Sequence, residues 1–163
     1  TKKDVRDKDE QMYQRSIYVY WKRTSPHPMM TLFDAPDRES SCVMRSRSNT
    51  ALQSLGLLNE TQRIEMSRKL AERLIKSTDD DLRRLDFLYG LLSSRKPTAN
   101  EKIACIKLVS TMRERYKSSE EDAVALISAG DAPRDQKIPV AELAARTQLT
   151  TIVLASDAAI LIY

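Results

Sequence analysis

The chain has 163 residues, of which 41% are hydrophobic and 31% are charged, and it carries a formal charge of +4 at pH 7. A chain of this length and composition can bury a core large enough to fold without a disulfide or a metal, and its three glycines exclude collagen-like and glycine-rich flexible sequences. The excess positive charge is small and spread out, whereas nucleic-acid-binding proteins concentrate theirs on one surface, so nucleic-acid binding is not favoured.

The first 50 residues show no regular pattern. Residues 1–12 are mostly charged and are expected to be a frayed tail. Residues 17–21, Ile-Tyr-Val-Tyr-Trp, are β-branched or aromatic and form the one strand candidate, and the alternative is an extended segment packed on helices. Prolines at positions 26, 28 and 36 are taken to exclude helix across the stretch that contains them.

Helical patterns begin after residue 50. Thr50 or Asn49 can cap a first helix over residues 51–58, and residues 59–62 resemble the capping box of a second. Ser77 or Thr78 is the expected cap of a third helix. Spacings of three and four residues predict one apolar stripe for each helix: Leu52, Leu55 and Leu58 in the first, Met66, Leu70 and Leu74 in the second, and Leu82, Leu85, Leu88, Tyr89 and Leu92 in the third.

The basic side chains of the second helix are expected mostly to face away from its stripe. They are Arg63, Arg68, Lys69 and Arg73.

Three more helices follow the break at residues 95–98. Thr98 with Glu101 forms a capping box for the fourth helix, and Ser118 with Glu121 starts a short fifth helix that ends near Gly130. A proline at position 139 suits the first turn of a sixth. The predicted inner faces are Cys105, Leu108, Val109, Met112 and Tyr116 in the fourth helix, and Ala145, Leu149, Ile152 and Val153 in the sixth.

Consecutive helices with short connections pack antiparallel around one core. The predicted fold is therefore all-α, a compact bundle of about five to six helices over residues 51–163. An irregular, proline-containing segment over residues 13–50 precedes it, and residues 13–163 are predicted to form one domain. Because the chain starts without an initiator methionine, we expect it to be a piece of a longer protein.

Few patterns indicate catalysis. His27 is the only histidine, and no Cys/His spacing predicts a metal site. There is no Gly-x-Ser-x-Gly elbow and no phosphate-binding glycine loop. Cys42 and Cys105 are expected to be unpaired, half-buried thiols, although the sequence leaves a single bridge between them open. The longest apolar stretch, residues 151–163, is too short to cross a membrane as a helix, and the N-terminus lacks the apolar run of a signal peptide.

The candidate site is a set of polar residues around the prolines. Two arginines spaced two residues apart, next to a helix N-terminus, could bind an anion. The favoured interpretation is structural: Arg45 and Arg47 pair with nearby carboxylates or bond loop carbonyls. Together with the side chains of Asn49 and Gln53, they are predicted to lock the N-terminal segment onto the bundle. The candidate residues are His27, Asp34, Asp37, Arg38, Arg45, Arg47, Asn49 and Gln53.

Tyr18, Tyr20 and Trp21 are candidate aromatic contacts. Beside Lys22 and Arg23 they could stack sugars or bases. Aromatic side chains on an extended segment more often anchor it to the core.

Several ordered motifs agree with one family. RSRSNTALQSL at residues 45–55 is similar to an RRxRTNTPLQAL signature, and LLSSRKPT at residues 91–98 to a helix break of the form LxRxPT. The same family shows stretches like RSIYVYWKRT at 15–24, PHP at 26–28, FDAPDRE at 33–39, LLN at 57–59 and AELAA at 141–145. Over about residues 13–160 the chain resembles the planctomycete domain of unknown function 1553.

The resemblance implies a setting rather than a chemistry. Such domains typically form the C-terminal part of exported bacterial multidomain proteins, so an extracytoplasmic location and upstream domains of the same polypeptide as partners are expected. It implies no cofactor in this part of the protein, and a haem c would belong to an upstream cytochrome domain. The expected function is a structural or interaction module. The alternative is an enzyme part or a site for an anionic or carbohydrate ligand on residues 33–50, called here the Arg/Asp loop.

Overall fold

A computed structural model describes residues 13, 15–22, 25–37 and 39–160. Of the described residues, 66% lie in α- or 3-10 helices, and these residues form eight α-helices, six of them with seven or more residues, and no strand. The all-α prediction is therefore confirmed. Contacts divide the chain into two units, residues 1–49 and residues 50–163. The predicted frayed tail, residues 1–12, lies outside the described residues, as does Arg38.

The strand predicted over residues 17–21 is wrong. Ser16–Tyr18 is a single 3-10 turn, closed by hydrogen bonds from the Tyr18 amide to the Arg15 carbonyl (2.9 Å) and from the Val19 amide to the Ser16 carbonyl (3.2 Å). A strand needs a neighbour for its backbone groups, and the described residues contain no partner strand. A local turn satisfies some of those groups instead.

The prolines do not exclude helix completely. Helix α1, Pro28–Leu32, begins on a proline, and the His27 carbonyl accepts from the amides of Met30 (3.0 Å) and Thr31 (3.1 Å). Proline is tolerated at the first position of a helix, because its missing N–H would have no partner there. The prediction from the sequence did not allow for a proline at the first position of a helix.

Residues 50–160 contain the other helices, and two of the predicted capping boxes start them. The predicted Ser118 cap is wrong, because the helix Glu120–Ile127 follows Ser119 without a side-chain cap and the Ser118 hydroxyl donates to the Arg115 carbonyl. Thr50 and Gln53 form one capping box and Thr98 and Glu101 another. The third predicted helix starts later than expected, because Ser77 ends the preceding helix and the Asp80 carboxylate accepts from the Leu82 amide at 3.1 Å. The helices are α2 (Ala51–Asn59), α3 (Thr61–Ser77), α4 (Asp81–Ser93), α5 (Ala99–Ser118), α6 (Glu120–Ile127), α7 (Val140–Leu154) and α8 (Asp157–Ile160).

Helix α7 occupies the centre of this unit. It packs against α2, α3, α5, α6 and α8, and nine of its fifteen residues are buried. Two apolar clusters make up the core, one containing Leu149 and Val153 and the other Leu143, Ala144 and Ala145, so α7 contributes to both. A helix buried on nearly every side is expected to be apolar all round, yet α7 also buries polar residues.

Its buried threonines are satisfied by backbone carbonyls. The Thr147 hydroxyl donates to Leu143 (2.8 Å) and the Thr151 hydroxyl to Thr147 (2.9 Å), each one turn back. The Thr150 hydroxyl lies 2.9 Å from the carbonyl of Ser67 in α3, so it also links two helices. These contacts remove most of the cost of burying a hydroxyl.

The predicted stripes of α4, α5 and α7 are largely buried, but two predictions on α2 and α3 are wrong. Leu52, Leu55 and Leu58 are 65%, 56% and 39% exposed, and Gln53 is the buried side chain of α2. Arg68, expected to face away from the core, is 1% exposed, whereas Met66 is 46% exposed. Helical spacing shows which residues share a face, but it does not show which face a neighbour covers.

Helix α3 holds the irregular connection between α6 and α7. The Glu65 carboxylate accepts from the amides of Asp131 and Ala132, and the Arg68 guanidinium donates to the Ala132 carbonyl at 2.6 Å. The Glu72 carboxylate accepts from the Asp135 amide at 3.1 Å. Buried side chains of α3 therefore supply the partners that this backbone would otherwise find in a helix or a sheet.

The same connection has no room for a side chain at Gly130. This residue has φ = 87°, and a Cβ atom there would lie 2.7 Å from Glu65 Cβ. Gly130→Ala should therefore lower the free energy of unfolding by at least about 2 kcal/mol, through left-handed strain and the clash.

Gly90→Ala is the matched control. Gly90 is an exposed residue inside α4, and a Cβ atom there meets nothing within 4 Å. Alanine should raise the free energy of unfolding by about 1 kcal/mol, because it is the better helix former. Urea unfolding of both variants measures the difference, and equal midpoints would contradict the close approach of Glu65 to Gly130.

A second local arrangement makes stability depend on pH. The Glu101 carboxylate accepts from the Arg95 guanidinium at 2.6 and 2.8 Å and from the Thr98 amide at 2.7 Å. The hydrogen bond from Arg95, more than any other interaction, lowers the pKa of Glu101 from 4.5 to about 2. The carboxylate therefore stabilises the folded chain fully above pH 4.5, and this contribution disappears as the pH falls from 4.5 towards 2.

Glu101→Gln tests this dependence. The variant should unfold at a lower denaturant concentration than the wild type at pH 7, and the difference should shrink steadily below pH 4.5, where wild-type Glu101 takes up a proton. Unfolding midpoints measured from pH 7 to pH 2.5 give the comparison. A difference that does not change with pH would show that the ionised carboxylate is not what stabilises this end of α5.

Candidate functional site

In the N-terminal unit, two of the predicted site residues meet at the end of α1. The Arg45 guanidinium donates to the carbonyls of Phe33 (2.9 Å) and Asp34 (3.3 Å). The Asp34 carboxylate accepts from the amide (2.8 Å) and the hydroxyl (2.6 Å) of Ser48. Asp34 has φ = 54°, a left-handed conformation that often ends a helix. Arg45 therefore bonds carbonyls at the end of α1, where cations are favoured.

Other predicted residues have local backbone roles. His27 is the N-cap residue of α1 and is exposed. The Asp37 carboxylate accepts from the Glu39 amide at 3.0 Å, which forms a tight polar turn. Arg47 and Asn49 are exposed, and the predicted Arg38 lies outside the described residues.

Gln53 belongs to the second unit, where it is 8% exposed. Its side chain accepts from the Thr50 amide at 3.1 Å and completes the capping box of α2. The predicted lock between the N-terminal segment and the bundle stays a prediction. Because Arg45, Arg47 and Asn49 are all exposed, the large cost of breaking a buried pair does not apply to them.

The aromatic candidates differ in exposure. Tyr18 and Tyr20 are 72% and 85% exposed, whereas Trp21 is half-buried. Two exposed tyrosines offer faces on which a ring could stack.

The sequence reasoning missed a charge cluster inside the helical unit. It joins α4, α5 and α7, and it consists of Asp81, Arg84, Arg113, Glu142 and Arg146. Arg113 donates to Glu142 at 2.6 Å and to Asp81 at 2.9 Å. Arg146, whose side chain is fully buried, donates to Glu142 at 2.9 Å and also to Asp81.

The charges of this cluster hold its carboxylates ionised. Burial alone would raise the pKa of Asp81 and of Glu142, but hydrogen bonds from Arg113 and the charge of Arg146 outweigh it, so both pKa values are lowered. The hydrogen bond to Glu142 raises the pKa of Arg113. Carboxylates held this way are poor proton acceptors near neutral pH. The cluster therefore joins three helices and does not resemble an acid–base site.

One part of this cluster has a sequence signal, because Glu142 and Arg146 are four residues apart on one helix. The other partner of Arg146 is Asp81, 65 residues away along the chain. A contact of that separation has no local signature.

Both cysteines are free thiols, as predicted, but neither is half-buried: Cys42 is exposed and Cys105 is buried. Among the described residues, no group of three or more His, Cys, Asp or Glu side chains is placed to hold a metal ion. None of the helices described here is both long enough and apolar enough to span a membrane.

Comparison with known proteins places the chain in a family. A model of the family described as protein of unknown function (DUF1553), PSD1, matches residues 1–109. This is about two thirds of the chain, so the protein belongs to that family, as the sequence motifs predicted. The match does not reach AELAA at residues 141–145, so the resemblance beyond residue 109 stays a prediction. No curated protein and no solved structure matches it. The matched residues include the Arg/Asp loop and end inside α5, so α6, α7 and α8 lie beyond them.

Arg146→Met tests the charge cluster. The substitution keeps most of the side-chain volume but leaves Asp81 and Glu142 with fewer donors. It should lower the free energy of unfolding by about 3 kcal/mol. Breaking a buried ion pair costs about 3–5 kcal/mol, and the lower value applies here because water partly reaches the carboxylates, which are 28% and 23% exposed.

Arg115→Met is the matched control for this variant. Arg115 pairs with Asp122 at 3.4 Å, and both side chains are more than half exposed. Its loss should cost about 1 kcal/mol or less. Guanidinium chloride unfolding compares the two, and equal costs would contradict the structural role of Arg146.

Proposed function

We propose that the chain is a structural and interaction module of an exported bacterial multidomain protein, with upstream domains of the same polypeptide as its partners. The proposed location is extracytoplasmic. The family resemblance supports this setting. The contacts support a non-catalytic role, because the carboxylates of Asp34, Asp81 and Glu142 are all used to hold the fold together.

The main support for an interaction role is the exposed leucines of α2. Leu52, Leu55 and Leu58 are spaced three residues apart, so they lie along one side of a helix whose N-terminus is fixed by a capping box. They are 65%, 56% and 39% exposed. Burying a leucine against a partner contributes about 1.5–3 kcal/mol, so three adjacent leucines form a suitable contact surface.

The double variant Leu52→Gln/Leu55→Gln tests this surface in the full-length protein. Glutamine keeps helix propensity and side-chain length, so α2 should still form. Limited proteolysis should then cut the variant between this module and the upstream domains much faster than it cuts the wild type, because the interface has lost its apolar contacts.

Leu82→Gln is the control, since Leu82 on α4 is also exposed, at 49%. It should be cut at the wild-type rate. Equal cleavage of the wild type and the double variant would contradict the proposal that α2 is the contact surface.

Loss of turnover in the full-length protein after Asp34→Ala or His27→Ala, with folding preserved, would overturn the non-catalytic proposal. Cell fractionation that finds the protein only in the cytosol would overturn the proposed location.

The alternative proposal, a site for an anionic or carbohydrate ligand on the Arg/Asp loop, has less support. Exposed Arg47, Tyr18 and Tyr20 favour it. The hydrogen bonds of Arg45 and Asp34 count against it, because both groups already bond within the loop.

A further inference from the structure

A shallow pocket lies beside the C-terminal half of α3. Its volume is about 410 Å³, and its walls are formed by Lys69, Glu72, Arg73, Lys76, Ser77 and Phe87. We propose that this pocket binds a phosphate or sulfate monoester, with the oxyanion on Arg73 and the organic part of the ligand against Phe87. The proposal goes beyond the interaction role of α2 and does not depend on it.

Arg73 is the central group. Its guanidinium carbon lies 5.4 Å from the centroid of the Phe87 ring, and the side chain is exposed. Stacking on an aromatic ring orients the planar guanidinium and leaves its N–H groups free to point outward. Within the described residues no hydrogen bond or ion pair engages this guanidinium. Its N–H donors are therefore open to an oxyanion, which a guanidinium binds through two parallel hydrogen bonds.

Charge around the pocket favours an anion. Lys69, Arg73 and Lys76 have the spacing of one helix face, and buried Arg68 lies on the same helix. The carboxylates nearby are those of Glu72 and Asp135. Glu72 is shared by Arg68 (3.5 Å) and Lys69 (3.2 Å), and Asp135 pairs with Lys76 at 2.6 Å. Arg68 and Asp135 do not line the pocket, but when they are counted, four cations stand against two carboxylates, which leaves a local charge of about two positive.

The exposed lysine side chains can move towards a bound oxyanion, whereas the hydroxyl of Ser77 is not free to donate to it. Lys76 is 60% exposed and Lys69 is 41% exposed, although Lys69 also donates to the Pro133 carbonyl. The Ser77 hydroxyl already donates to the Leu74 carbonyl at 2.7 Å. Recognition therefore falls mainly to Arg73, with the lysines as additional charge.

The pocket walls indicate what the anion is attached to. The Phe87 ring and the alkyl stems of the lysines form an apolar surface next to the guanidinium. A free inorganic ion would leave this surface unused. A monoester with a ring or another apolar body would cover it and gain affinity.

Titration of the 163-residue chain with phenyl phosphate, phenyl sulfate and inorganic phosphate, followed by amide chemical shifts, tests the proposal. Phenyl phosphate or phenyl sulfate should change the amide chemical shifts of residues 69–77 and 87, and it should bind at least five times more tightly than inorganic phosphate. The ester that binds better identifies the oxyanion. Affinity should fall as salt is added, because the attraction is partly between exposed charges.

Arg73→Gln should weaken binding of the phenyl ester at least tenfold. Arg115→Gln is the matched control, because Arg115 also lies over an aromatic ring, 5.7 Å from that of Tyr116, but its guanidinium pairs with Asp122. It should bind the ester as the wild type does. Phe87→Leu should remove the preference for the ester over inorganic phosphate.

Three results would overturn the proposal. The first is no shift at residues 69–77 at millimolar ligand. The second is an equal loss of affinity in Arg73→Gln and Arg115→Gln, which would mean attraction to the general positive charge. The third is equal affinity for the ester and for inorganic phosphate, which would remove the role of Phe87. Thermal unfolding of each variant confirms that it is folded, and none of these results bears on the α2 surface.

Discussion

The packing of the helical unit depends on a guanidinium that has no access to water. Arg146 lies in α7 with its side chain fully buried, and it holds Glu142 on its own helix and Asp81 at the start of α4. Arg113 of α5 binds the same two carboxylates. A charge cluster of this kind stabilises only when every member finds its partners, since an unpaired buried charge is costly. It therefore ties three helices to one relative arrangement, and α7 can lie between its neighbours without being apolar on every side.

The same use of polar groups recurs on α3. Glu65, Arg68 and Glu72 are buried, and each bonds the backbone of the connection between α6 and α7. A long loop without regular structure can be held against a bundle only if its amides and carbonyls find partners. These buried polar residues of α3 thus help to hold the fold together. Among the surface features of the described residues, an apolar side of α2 and a basic pocket on α3 are suited to binding, which is why the proposals concern binding rather than catalysis.

Family membership and tertiary structure divide the chain differently. The family match ends at residue 109, inside α5. The helix that organises the core, α7, begins at Val140. Asp81 lies within the matched residues, whereas Glu142 and Arg146 lie beyond them. Helices α2 to α4 of the matched part also contact one another, but both core clusters include residues of α7, so the core depends on both parts.

The sequence alone determined the features that depend on neighbours within about four residues. The capping boxes of Thr50 with Gln53 and of Thr98 with Glu101, the helical periods and the family motifs all belong to this class, because a helix hydrogen bond or cap spans three or four residues. Most of the helices and the all-α class followed from them, as did the stripes of α4, α5 and α7. The tertiary structure decided that residues 17–21 have no partner strand among the described residues, that the leucines of α2 face outward, and that Arg68 faces inward. It also placed Asp81 beside Arg146. In each of these cases the outcome depends on which surface a distant segment covers, and periodicity within one helix carries no information about that segment.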